Sequence, residues 1–198
     1  MKHKLIAASL ALSAVFAAEA EAQVFTPTFL SHVPSNDFGA YVSDWGGGLG
    51  VEGIWRRQSR GGSNVGLHAG YVDSGDGSLT VGLDMRNPVV LAGAPIGLAF
   101  TVGGQAVVGD ATYIGGQVGF TAGQALPVPG MTITPYIHPR LAIANGFVDD
   151  DSPGENDFNI DVLADVGLDL DFASGVSLRL GANLGDGANW GLGVAFRR

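Results

Sequence analysis

The sequence predicts an all-β protein, a closed antiparallel up-and-down transmembrane β-barrel of ten strands, with eight strands as the alternative. Residues 160–172, IDVLADVGLDLDF, alternate apolar side chains with mostly carboxylates, as a strand does when it separates an apolar medium from a polar one. A strand that crosses an outer membrane needs roughly 9 to 11 residues of this pattern. The 32 glycines favour turns and closely packed backbones over helices. No stretch of the mature chain has the roughly 18 consecutive apolar residues of a transmembrane helix.

Alternation along the rest of the chain gives ten candidate strands, joined by connections short enough for antiparallel neighbours. They are residues 38–45, 49–57, 65–71, 79–86, 96–108, 113–126, 131–143, 160–172, 176–184 and 190–196. Parity supports the first of them, because a bacterial barrel with both termini on one side has an even number of strands. Pro135 and Pro139 fall within the seventh, where we expect a bulge or local break because proline cannot donate to the ladder.

The first 22 residues have the three parts of a secretory signal peptide. Lys2 and Lys4 precede an apolar run, 5–18, that is too short to span a bilayer as a helix. Ala20-Glu21-Ala22 then provides a small-x-small cleavage site, so we expect export and a mature chain that begins near Gln23. The alternative is a buried N-terminal helix. Residues 23–36 contain Pro27 and Pro34 without periodicity and are interpreted as an extended periplasmic lead-in to a single barrel domain, 37–198.

Alternation alone fits two kinds of barrel, a membrane barrel with its apolar face outside and a soluble lipocalin-like barrel with that face inside. The polar face is rich in glycine, which would weaken the strands of a soluble exterior without any gain. Lys2 and Lys4 are the only lysines, whereas soluble exteriors use lysine freely. The sequence therefore favours the membrane barrel.

The polar face carries charges that a closed interior must pair. The expected lumen network is Glu52, Arg56, Asp84, Arg86, His138, Arg140, Asp161, Asp165, Asp169 and Arg179. One hypothesis is a salt-bridge plug that fills a barrel with a structural or surface-interaction role. A second is a narrow porin-like channel for small solutes or ions. A third, less favoured, is an enzyme acting on lipid or peptide, although neither His68 nor His138 has a serine and a carboxylate at a spacing that indicates a triad.

The connections also differ between the two ends. Long acidic ones, among them 73–77 and 148–159, share one end, and tight turns such as 127–130 lie at the other. The acidic outer loop contains Asp149, Asp150, Asp151, Glu155 and Asp157. A calcium-binding loop is disfavoured there because Pro153 and Ile160 occupy the fifth and twelfth positions of the EF-hand pattern.

Other ligand classes find little support. Residues 48–53, GLGVEG, match the dinucleotide motif GxGxxG, but a strand rather than a helix follows them. We therefore expect no cofactor and no metal site. The net charge of −9 argues against a nucleic-acid partner, because nucleic acid is bound by neutralising phosphates with lysine and arginine.

Aromatic residues near the ends of the apolar runs are typical of interfacial girdles. They are Trp55, Tyr71, Phe172, Trp190 and Phe196. With the signal peptide, the alternating strands and the closing strand WGLGVAF, the chain resembles the small outer-membrane β-barrels of Gram-negative bacteria, in the OmpA-like and OmpX-like manner. The resemblance covers nearly the whole mature chain and implies a monomer in the cell outer membrane, in contact with outer-membrane lipid and lipopolysaccharide. It also implies that the barrel-assembly machinery reads Phe196, although Arg197-Arg198 follow it here.

Overall fold

The computed structural model describes residues 27–45, 48–73, 77–109, 112–147, 157–184 and 189–198. Every regular element in this part of the chain is a strand. The strands are β1 Asp37–Asp44, β2 Leu49–Gln58, β3 Asn64–Asp73, β4 Ser78–Val89, β5 Gly97–Val108, β6 Thr112–Gly123, β7 Leu126–Val128, β8 Met131–Phe147, β9 Asp157–Phe172, β10 Val176–Leu184 and β11 Asn189–Arg197. No helix among the described residues is long and apolar enough to cross a membrane.

Ten of these strands close into an antiparallel barrel. The closure joins β1 to β11, with Phe38 opposite Phe196, and β6 to β8. The short strand β7 stands outside the ten and pairs only with the start of β8, where Leu126 lies opposite Ile133. The ten-strand prediction is therefore confirmed, and the eight-strand alternative is wrong.

The two prolines of β8 are accompanied by a local break in the ladder rather than a bulge, which was one of the two predicted outcomes. The register with β9 is continuous through both of them, with Pro135 opposite Leu168 and Pro139 opposite Ala164. Pairing with β6 is instead interrupted: it ends at Gly119 opposite Arg140 and resumes at Ala122 opposite Ile137, so the two pairs at His138 and Pro139 are missing. A proline removes one N–H donor from a ladder, and here the ladder loses pairs without the insertion of an extra residue.

Alternate side chains along each strand point into the lumen or onto the outer surface of the barrel. On β4, Leu83 points outward and is 56% exposed, whereas its neighbour Asp84 points inward and is 2% exposed. The same contrast holds on the other long strands, with Val162 outside and Asp165 inside on β9. The apolar side chains are thus more exposed than the charged ones, which reverses the distribution of a soluble protein. This confirms the predicted direction of the two faces.

The two ends of the barrel differ in charge. We call the end at which β1 begins and β11 ends the near end, and the opposite end the far end. The connections at the far end contain acidic residues and neither lysine nor arginine in the sequence. The arginines that do not enter the lumen all belong to the near end: Arg57, Arg60, Arg197 and Arg198.

Candidate functional site in the barrel lumen

Residues 27–36, which precede the first strand, lie inside the barrel and are called the lumen segment below. Leu30 is 0% exposed, and Phe29 and Ser31 are buried as well. Only Asn36 is exposed, at the near end, where its carbonyl oxygen accepts the Arg198 N–H at 2.9 Å. From there the segment extends into the middle of the lumen. The expected lead-in, over the described part of its length, therefore occupies the interior instead of lying ahead of the barrel.

Glycines on the lumen face make room for this segment. The Phe29 ring packs on Tyr41 with 4.7 Å between ring centroids. A Cβ placed on Gly191 would lie 2.5 Å from Phe29 Cζ, and one on Gly181 would lie 3.0 Å from Pro27 Cβ. Other lumen-facing glycines make similar room for His32 at Gly97 and Gly123, for Tyr136 at Gly167, for Trp45 at Gly50 and for Glu52 at Gly70. The glycine-rich polar face thus has a packing role.

Lumen side chains satisfy the backbone of the segment, which has no regular structure of its own. Three of them donate to its carbonyl oxygens: Arg56 to Thr28 O (3.2 Å), Asn64 to Ser35 O (2.6 Å) and Arg86 to Ser31 O. The Thr28 N–H donates to Asp165 Oδ2 at 3.1 Å. Buried backbone polar groups need such partners, so part of the lumen charge network serves to hold the segment.

The most connected polar cluster joins the segment to three strands. The Thr28 hydroxyl donates to Asp165 Oδ2 at 2.8 Å and lies 2.9 Å from His138 Nδ1. Because that hydroxyl proton is used on the carboxylate, His138 Nδ1 donates to the Thr28 oxygen, and His138 Nε2 shares a hydrogen bond of 2.8 Å with the Thr101 hydroxyl. Arg140 completes the cluster with an ion pair to Asp165 at 3.1 Å.

The arrangement resembles a hydrolytic triad, in which a hydroxyl, an imidazole and a carboxylate follow one another: here Thr101, His138 and Asp165. The His138 to Asp165 distance is 3.3 Å. However, Thr101 is 1% exposed and His138 is 0% exposed, so no substrate reaches the hydroxyl in this conformation. Sequence spacing did not reveal this grouping, because its members come from β5, β8 and β9. In this conformation the group holds the lumen segment in place through its hydrogen bonds to Thr28.

A second cluster lies toward the near end around the Arg179 guanidinium. Arg179 pairs with Asp37 and lies 3.8 Å from Asp169. Arg179 and Arg56 both donate to the Tyr41 hydroxyl, at 2.5 Å and 3.2 Å. Asp37 and Tyr41 were not among the predicted network residues, although alternation along β1 places both on the lumen face.

Most of the predicted network is in the lumen and buried: Glu52, Arg56, Asp84, Arg86, His138, Arg140, Asp165, Asp169 and Arg179. Glu52 accepts from Thr80 at 3.0 Å and from Gln105 at 3.2 Å. Asp161 is only half-buried and accepts from Asn159. The buried members of the predicted network are therefore brought together in the lumen, and Asp161 lies nearer the far end.

On the far-end side of the lumen segment, apolar side chains close the interior. Trp45, Val72, Val107 and Tyr113 pack together at the far ends of their strands. A cavity of about 30 Å³ lies beside the lumen segment and is lined in part by Glu52 and Leu30. A water molecule needs roughly 10 to 15 Å³, so this cavity has room for about two waters.

The predicted girdle residues lie at both ends of the outer face. Trp55 and Phe196 are exposed near the near end and Phe172 is half-exposed there, while Tyr71 and Trp190 are exposed near the far end. Of the acidic outer loop, Asp149, Asp150, Asp151 and Glu155 lie outside the described residues, and Asp157 begins β9. Among the described residues, no group of three or more histidine, aspartate or glutamate side chains is placed to hold a metal ion.

No protein-family model matches the chain, and no curated protein sequence is significantly similar to it. The resemblance to OmpA-like and OmpX-like barrels is thus one of architecture.

The packing of Phe29 against Gly191 gives a stability test. We expect Gly191→Ala to lower the free energy of unfolding by about 1 to 3 kcal/mol, because its Cβ must displace the ring. In a Phe29→Ala background the same change should cost much less. Gly53→Ala is the control, since its Cβ would lie 3.8 Å from the nearest atom and should cost no more than about 0.5 kcal/mol. Denaturant titrations of the four variants measure the coupling, and equal costs of Gly191→Ala in both backgrounds would contradict it.

Proposed function

We propose that the chain is an outer-membrane β-barrel with a structural or surface-interaction role, whose lumen is closed by its own N-terminal segment and a buried charge network. It acts without catalysis of its own. It is exported through a cleaved signal peptide, inserted as a monomer by the barrel-assembly machinery, and surrounded by outer-membrane lipid and lipopolysaccharide. The observation that carries the proposal is the inverted distribution of side chains, apolar outside and charged inside.

The outer face supports a membrane environment in two ways. Exposed leucine, isoleucine and valine side chains continue around the barrel, far beyond the scattered apolar residues of a soluble surface. Aromatic residues border this apolar band at both ends, as they do in transmembrane barrels. A lipocalin-like barrel is disfavoured because its interior would be an apolar cavity, whereas this interior contains arginine and aspartate side chains paired with each other.

The filled lumen favours a closed barrel over a pore. Conduction needs a path of water or polar sites through the barrel. Here the lumen segment fills the middle, and the layer around Trp45 and Val107 closes the far end of the described interior. A partner would therefore contact the surface of the barrel, including the acidic connections at the far end.

The membrane proposal is tested by placing an arginine on the outer face. Leu168→Arg on β9 should destabilise the inserted barrel by about 2 to 4 kcal/mol, because an arginine at the bilayer midplane is costly. Val90→Arg is the matched control, since Val90 is 91% exposed in a connection at the near end. We expect the native and control proteins in the outer-membrane fraction, with electrophoretic migration that shifts on heating, and little assembled Leu168→Arg. Recovery of the native protein in the soluble periplasm without a heat shift would contradict the proposal.

Closure of the lumen is tested by recording from planar bilayers. The native protein should show no steady conductance. Asp165→Asn leaves the buried Arg140 guanidinium without its carboxylate and weakens the hold on Thr28, so it should cost about 3 to 5 kcal/mol of stability and admit an anion leak. Asp161→Asn, at a half-buried position nearer the far end, should remain closed. A robust cation-selective conductance in the native protein would instead establish the narrow channel.

A further inference from the structure

Two rows of side chains cross the outer face at the near end. The upper row consists of Trp55, Phe38 and Phe196, which are direct neighbours across β2, β1 and β11. Two residues further toward the near end, Arg57 follows Trp55 on β2, Asn36 directly precedes β1 and Arg198 directly follows β11. The Arg198 N–H donates to Asn36 O at 2.9 Å, which places these two residues side by side. Trp55 and Arg57 share the outer face of β2, because alternate residues of a strand point to the same side, and Asn36 and Arg198 are exposed beside them. An aromatic row therefore lies about 7 Å above a row that contains two arginines.

The two guanidinium groups of the lower row have no carboxylate partner among the described residues. Arg57 and Arg198 are both exposed, and the β3 neighbour of Arg57 is the apolar Val65. Asp37 lies close by, but its carboxylate pairs with Arg179 in the lumen. Arg197, which also belongs to the near end, differs because it lies 3.9 Å from Asp171. The lower row thus has two cations available to an external anion.

A surface cavity of about 300 Å³ lies at this position. Its lining is Asn36, Asp37, Trp55, Arg56, Arg57 and Arg198. The volume is at the lower end of the range for small-molecule sites, about 300 to 1,000 Å³. Asn36 Oδ1 accepts the Gln58 N–H at 2.7 Å, which leaves the Asn36 amide group as a further donor. The polar side of the cavity is thus bordered by the donors of Asn36, Arg57 and Arg198 and by the Asp37 carboxylate, which is paired with Arg179, and the apolar side by the Trp55 indole ring.

We propose that this cavity binds the headgroup phosphate of an anionic phospholipid in the leaflet at the near end. The inference rests on the proposed membrane location. Arg57 and Arg198 hold the phosphate oxygens, since the planar guanidinium donates in pairs to such groups. Trp55 and Phe196 contact the glycerol and the start of the acyl chains, at the depth where aromatic residues lie in membranes. The far end provides no equivalent site, because its connections contain no lysine or arginine in the sequence.

The experiment is lipid binding by the full barrel in detergent micelles, followed by native mass spectrometry. The probes are phosphatidylglycerol, phosphatidylcholine and soluble glycerol phosphate. We compare the native protein with the double variant Arg57→Gln and Arg198→Gln. Arg60→Gln is the control, because it removes a positive charge at the same end from an exposed turn outside the row. The heat shift of every variant is measured in parallel, so that loss of the barrel is separated from loss of the site.

The native protein and Arg60→Gln should retain phosphatidylglycerol equally and in preference to phosphatidylcholine. The double variant should bind phosphatidylglycerol at least about tenfold more weakly, since each charge-assisted contact is a large fraction of such an affinity. Equal retention by the double variant, an equal loss with Arg60→Gln, or no preference over phosphatidylcholine would overturn the site while leaving the heat-shifted barrel intact. Displacement by glycerol phosphate at concentrations similar to the lipid would show a free-phosphate site and would also overturn it.

Discussion

The interior of a closed sheet has to be filled and its charges have to be paired, and this constraint governs the rest of the structure. Ten strands enclose more space than their own inward side chains occupy, and an unfilled lumen would leave buried arginine and aspartate side chains without partners. The lumen segment meets both needs. Phe29 and Leu30 supply apolar volume, while Thr28 and Ser31 supply polar groups to Asp165 and Arg86.

Several features of the chain follow from this arrangement. Glycine is frequent on the lumen face because rings and the segment backbone approach the sheet closely, as Phe29 does at Gly191 and Tyr136 does at Gly167. The triad-like contact of Thr101, His138 and Asp165 is understood in the same way, since all three are buried around Thr28. A chain without cysteine can be held together by such a network, because each buried ion pair is costly to break.

Properties set by local pattern could be predicted from the sequence. The alternation in 160–172 showed which side chains enter the lumen, and it located Asp165 and Asp169 before any partner was known. Parity identified β1, and with it the ten-strand closure. A break near Pro135 and Pro139 was predicted, but the side on which it falls was not, because that depends on which neighbouring strand lies opposite the missing donor.

The position of the lumen segment inside the barrel could not be predicted, for a different reason. Its residues have no periodicity, and its partners are remote along the chain, since Thr28 and Asp165 are 137 positions apart. Such contacts are fixed only once the barrel has closed. For the same reason, most charged residues of the network could be predicted from the sequence, whereas the tyrosine and threonine hydroxyls that connect them could not.

The measurement that tests this account most directly is thiol labelling at the lumen segment. The chain contains no cysteine, so Ser31→Cys and Asn36→Cys each provide a single reactive group. If the segment fills the lumen, a small maleimide should label Asn36→Cys at the near end of the folded barrel and should label Ser31→Cys only after heating. Rapid labelling of Ser31→Cys in the unheated, folded barrel, at a rate similar to that of Asn36→Cys, would contradict the account.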